Sequence, residues 1–190
     1  MQFTPNIWER YAATLRNLIT RRLIKGENIP KNFRLLKIIL VFSALVRCES
    51  KESIKLYKNL EKLLNYAEKK ISAKGISLKY SINEKQNYII DYNLLKLLVL
   101  ELVANPTQNT VKLEIKFLKE RMIFTVQNAT ASKILKRLAK KLNAILIKTR
   151  GESNFAIMLP APCVLTLENS VEDSEDYENL FSSVNIMLFG

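Results

Sequence analysis

Apolar residues recur at helical spacing through Ile7, Tyr11, Leu15 and Leu18, and this periodicity predicts an amphipathic helix over 7–24. The stretch "IKGENIPKN" interrupts it with Gly26 and Pro30. A second helix is then predicted over 33–48, where Leu36, Ile39, Leu40, Leu45 and Val46 make the segment too apolar for one neighbour to cover. Two helices joined by a short loop form an antiparallel hairpin. Such a hairpin cannot bury two greasy faces by itself. It is expected to pair with a copy of itself as a four-helix bundle across a twofold axis, or to dock on the rest of the chain.

"CESKES" reads as a polar joint. After it Leu56, Leu60, Leu63, Leu64, Ala67 and Ile71 mark a third helix, stopped by Gly75. "ISLKYSI" alternates as a strand, "YII" is a short second strand, and Asp91 or Asn93 can cap the following helix. Strict alternation in "VKLEIKF" and in "MIFTVQ" predicts a hairpin, "SKILKRLAKKLN" a short basic helix, and "AILIKT" with "SNFAIMLP" a last hairpin around Arg150 and Gly151. Helices on one face of a mixed sheet make a two-layer α/β sandwich, so the predicted class is α+β: a helical hairpin followed by the sandwich. The expected domains are 1–50, 51–160 and an acidic tail over 161–190. Because "LFSSVNIMLF" is too apolar to be left in water, the tail is expected to dock on the body or on a neighbour.

The stretch "LLKLLVLELVANPTQNT" sets Glu101 and Asn105 four residues apart, in the stripe of Leu94 and Leu98. A carboxylate and an amide on a greasy face fit either contact with a nucleotide and its metal or a pair hydrogen-bonded to its neighbours. Pro106 restrains Asn105 away from helical geometry and ends the helix there.

Composition narrows the chemistry. The chain has no histidine, which removes histidine phosphorylation, histidine ligands and Ser–His or Cys–His nucleophile pairs. Cys48 and Cys163 suggest neither a disulfide framework nor a zinc site. No signal peptide or membrane span is expected, since "LLKIILVFSALV" is too short and carries Lys37, so the protein is expected to be cytoplasmic. All 30 Lys and Arg lie at or before Arg150, whereas the tail holds Glu168, Glu172, Asp173, Glu175, Asp176 and Glu178, so the body is more basic than the overall charge of +12. Such a body suits anionic partners, or is a solvated surface partly met by its own tail. Lys133, Lys136, Arg137, Lys140 and Lys141 form the basic side of one helix: a surface for phosphates or an acidic partner, or the solvated face above Leu135, Leu138 and Leu142. No aromatics interleave with these lysines, which disfavours a single-stranded nucleic-acid platform. Trp8 and Tyr11 fit an interface core better than a ligand site.

The order of elements over residues 7–160, and above all "LLNYAEKKISAKGISLKYSINEKQNYIIDYNLLKLLVLELVANPTQNT", resembles the cytoplasmic core of bacterial sensor histidine kinases. The resemblance implies a dimerisation hairpin followed by an ATPase-type domain. It places Asn105 at the family's magnesium-binding Asn, Glu101 at the polar residue one turn earlier, and Thr110 at a common final Thr. "GESNFAIMLP", opening on Gly151, is similar to the strand that closes the domain. The departures change the expected function. Where the family writes Asp-x-Gly-x-Gly the chain has "NATAS", with Asn128 for the acid, and no glycine lies between Asn105 and Arg150. A triphosphate needs glycines there so that backbone can approach it. The family's His-Glu pair would fall near Trp8 and Glu9.

The expectation is therefore a non-catalytic, histidine-kinase-like regulatory or adaptor protein of two-component-type signalling, with Glu101, Asn105, Asn128 and Gly151 as a degenerate nucleotide site and no catalytic residue, metal or cofactor. Its expected partners are itself, through helices 7–24 and 33–48, and an acidic response-regulator-like protein on Arg10, Thr14 and Asn17. The alternatives are a divergent ATP-binding kinase or ATPase and a basic nucleic-acid-binding protein.

Overall fold

A computed structural model describes residues 5–26, 29–47, 52–54, 56–82, 87–148, 153–160, 163–164 and 173–189. In chain order the first half comprises α1 (Pro5–Ile24), α2 (Pro30–Val46), β1 (Glu52–Ile54), α3 (Leu56–Ser72), β2 (Ser77–Ile82), β3 (Asn87–Ile90) and α4 (Tyr92–Val103). The second comprises β4 (Thr110–Leu118), β5 (Arg121–Gln127), α5 (Lys133–Lys141), β6 (Ile145–Lys148), β7 (Asn154–Pro160), β8 (Cys163–Val164) and α6 (Ser183–Phe189). The chain divides into two compact units, residues 1–48 with 175–190, and residues 49–174.

The first unit is built on the α1–α2 hairpin. Pro30 opens α2 rather than merely ending the loop, because a first-turn residue has no intrahelical use for the N–H that proline lacks. Leu15, Ile19, Ile29, Phe33, Leu36 and Ile39 form one apolar cluster, and Ile186 of α6 completes it. Phe33 stacks on Phe181 and meets the edge of Phe189, with ring centroids 6.4 Å apart in each pair. The apolar end of the tail thus folds as a short helix on the hairpin. Polar groups hold it at both ends. The Glu175 carboxylate accepts from the N–H and Oγ of Ser183, the favourable placement of an acid at a helix start. The buried Lys37 ammonium donates to the Met187 carbonyl, 3.0 Å away, at its last turn.

The second unit is the sandwich. Its five-stranded sheet has the order β2-β4-β5-β7-β6, with β2 parallel to β4 and the remaining neighbours antiparallel. Because side chains alternate along a strand, Val111, Leu113, Ile115, Phe117, Met122, Phe124, Val126, Phe155, Ile157 and Leu159 are all buried, on the face covered by helices. β1, β3 and β8 form a separate small sheet. The polar joint "CESKES" therefore contributes to a strand, which three residues are too few to reveal by alternation; pairing with β3, Glu52 opposite Ile90, supplies the order instead. Asp91 caps α4, accepting from Leu94 N–H at 3.1 Å. Asp173 is clamped beside α3 and α4. Its carboxylate pairs with the Lys96 ammonium at 3.3 Å, its N–H donates to Asn59 and its carbonyl accepts from Lys62.

Because Ile186 is 1% exposed in the hairpin cluster and Ile24 is 81% exposed, the two isoleucines should respond differently to truncation. Ile186→Ala should cost the protein about 2–4 kcal/mol in urea denaturation, and Ile24→Ala less than about 0.5 kcal/mol.

Candidate functional site

α4 is apolar almost throughout, and eleven of its residues are buried, Tyr92 and Leu94–Val103. Among them is Glu101, 1% exposed. A carboxylate this deep is tolerable only if it is hydrogen-bonded. Its Oε1 accepts from the Asn105 side-chain amide at 3.0 Å and from Ser132 Oγ at 2.6 Å. The helix stops at Val103 with Ala104 as its cap, so Asn105 stands just beyond α4, earlier than the restriction by Pro106 alone implies. It still reaches back one turn to its partner. Ser132 makes a second bond. Its Oγ accepts from Leu135 N–H at 3.0 Å and caps α5. One hydroxyl thereby ties the start of α5 to the end of α4.

The two loops around this pair are joined by their backbones. Thr130 N–H donates to the Asn105 carbonyl at 3.0 Å, and Thr107 N–H donates to the Asn128 carbonyl at 2.8 Å. Between these bonds Pro106 and Ala129 form a bridge. Ala129 N–H continues the pattern to the Ser153 carbonyl at 3.0 Å. Asn128 adopts the left-handed conformation, φ +63°, which asparagine enters more readily than most residues. Its side-chain amide donates to the Thr110 carbonyl at 2.9 Å, and its N–H donates to Asn154 Oδ1 at 3.3 Å. Glu101, Asn105 and Asn128 are thus brought to one place, each engaged by neighbours. Gly151 lies outside the described residues, as does the side chain of Trp8.

Ser132, Thr130 and Thr107 do not stand out in the sequence as site residues. Ser132 carries a legible signal, a serine directly before a helical apolar repeat. The backbone donors carry none, since any non-proline residue supplies an N–H.

The remaining candidates lie on surfaces. Lys133, Lys136, Arg137 and Lys140 are exposed on α5 and Lys141 is half-buried, with Leu135, Leu138 and Ala139 beneath. Arg10, Thr14 and Asn17 are exposed on successive turns of α1, and Thr14 Oγ1 donates to the Arg10 carbonyl. Tyr11 is 62% exposed. Among the described residues no group of three Cys, Asp or Glu side chains is placed to hold a metal ion. Among the described residues no helix is long and apolar enough to cross a membrane.

No protein-family model matches the chain, and neither does any curated protein. Solved structures do. Full-length ShkA in complex with AMPPNP is similar at a TM-score of 0.60 and 12% identity, over 85% of this chain and 47% of that one. The histidine kinase AdeS of Acinetobacter baumannii is similar at 0.50 and 13%, over 80% of this chain and 95% of that one. The chain thus spans about half the length of full-length ShkA. At these identities the likeness is one of fold, and the fold is that of histidine kinases.

Removing the Ser132 hydroxyl takes a donor from a buried carboxylate and a cap from α5. Ser132→Ala should therefore cost about 2–4 kcal/mol by urea denaturation, well above an exposed serine substitution.

Proposed function

We propose that the chain is a non-catalytic relative of histidine kinase cores, a regulatory or adaptor protein of two-component-type signalling that works by protein contacts. The observation that carries this reading is the closure of the loops at Asn105 and Asn128. In the family the Asn at this place serves magnesium, and an acid at the position of Asn128 serves adenine. Here the Asn105 amide points to Glu101, its carbonyl accepts from Thr130, and the Asn128 amide donates to Thr110. These contacts support the reading, because a magnesium triphosphate at this place would compete with them for the Asn105 amide and the Glu101 carboxylate. The absence of histidine from the sequence also leaves no family-type phosphoacceptor.

A homodimer through α1 and α2 fits the same reading. Leu35, Ile38, Phe42 and Val46 form an exposed apolar stripe along α2, on the side away from Phe33, Leu36 and Lys37. Tyr11 and Leu18 are exposed on α1. A second copy of the hairpin, related by a twofold axis, would bring this stripe against itself. Arg10, Thr14 and Asn17 are then the residues for an acidic response-regulator-like partner.

Two measurements test the reading. Titration with Mg-ATP should leave the thermal unfolding midpoint unchanged. A nucleotide-dependent rise that Asn105→Ala abolishes would instead support the ATP-binding kinase or ATPase. Light scattering on the eluting protein should give a dimer mass, and Ile38→Asp with Phe42→Asp should reduce it to a monomer with helical content retained. A monomeric wild-type chain would remove the dimer from the proposal.

A further inference from the structure

The outer edge of the five-stranded sheet carries two features that the loop closure and the hairpin do not use. β6 is the terminal strand, and among the described residues it pairs only with β7. Its register places Ile145 opposite Met158 and Ile147 opposite Ala156, on the sheet face away from the helices. Ile123 of β5 lies opposite Met158 on the same face. Ile145 is 55% exposed and Ile147 46% exposed. Natural edge strands are ordinarily blunted by internal charge or proline. This strand has a single lysine at its last position, Lys148, and is otherwise aliphatic.

The other face of the same edge is basic. Leu146 and Lys148 point to the helical side, opposite Ile157 and Phe155, where α5 packs beside β6. From Arg121 to Gly151 the sequence contains no acidic residue. It does contain Lys133, Lys136, Arg137, Lys140 and Lys141 on α5, together with Lys148 of β6. A strand added beside β6 would lay alternate side chains on these two faces, one set along Ile145 and Ile147 and the other toward the lysines of α5.

We propose that the β6 edge is a docking site for an extended segment of a partner protein in which apolar and acidic residues alternate. Main-chain hydrogen bonds to the edge give such a segment its register, and the period of two sorts its side chains between the apolar and the basic face. Charge complementarity selects acidic over basic strands. This surface goes beyond the hairpin contacts proposed above, and its test does not depend on dimerisation or nucleotide.

The probe is a short fluorescein-labelled peptide alternating valine with glutamate, titrated into the full chain and followed by fluorescence anisotropy. A peptide of the same composition with its valines and glutamates in separate blocks should bind about tenfold more weakly. Ile145→Ser with Ile147→Ser should weaken the alternating peptide by a similar factor, as should Lys136→Glu with Lys140→Glu, each with an unchanged circular dichroism spectrum. Equal binding of the two peptides, or indifference to the isoleucine variants, would reduce the surface to simple charge attraction and overturn the proposal. So would an alternating peptide that does not bind, or duplex DNA that binds where the peptide fails.

Discussion

The sandwich depends on how one buried carboxylate is satisfied. Glu101 sits inside α4, where eleven residues are buried and an unsolvated charge is costly, and its Oε1 accepts from the Asn105 amide and the Ser132 hydroxyl. Each of those donors governs more than the carboxylate. Asn105 leads into the loop that pairs with Thr130, and Ser132 starts α5. The bonds to Glu101 thereby link the end of α4, the loop after it and the start of the basic helix. The polar pair ties together segments on both sides of it.

The acidic tail follows the same economy of polar groups. By charge alone it is a counterweight to a basic body. In the fold two of its described acids have individual partners: Asp173 pairs with Lys96, and Glu175 caps α6 at Ser183. Asp173 belongs to the sandwich and the residues from Glu175 onward to the hairpin unit, so a segment of unpromising composition contributes to both. The apolar residues at its end replace solvent on Phe33 and its neighbours. This burial leaves the opposite stripe of α2 exposed, Leu35, Ile38 and Val46 among it.

Much of this is legible in the sequence because it rests on local periodicity. The helices from Ile7, Phe33 and Leu56, the alternating strands at Val111 and Met122, and the α+β class all follow from spacings of two and of three or four residues. The small sheet is not legible, since Glu52–Ile54 and Cys163–Val164 are too short to show a period and owe their order to β3. The candidate site is legible as a set of residues and not as an arrangement. Glu101 and Asn105 stand out by being polar in a greasy run. Whether they face a ligand or each other depends on Ser132 and Thr130, in a loop remote along the chain, and backbone donors leave no mark in a sequence.

The sequence by itself determined the periodic elements, the absence of histidine, the loss of glycine between Asn105 and Arg150, and the separation of positive body from negative tail, all of which are properties of residue identity and spacing. Only the tertiary structure decided that Asn128 turns its amide to Thr110, that the loops at Asn105 and Thr130 join, that α6 rests on Phe33 and that Ile145 and Ile147 end a sheet at an exposed edge. Each of these is a pairing between segments far apart in the chain. A hydrogen bond or an apolar contact of that kind has no local signature, because it exists only once both sides have been brought together.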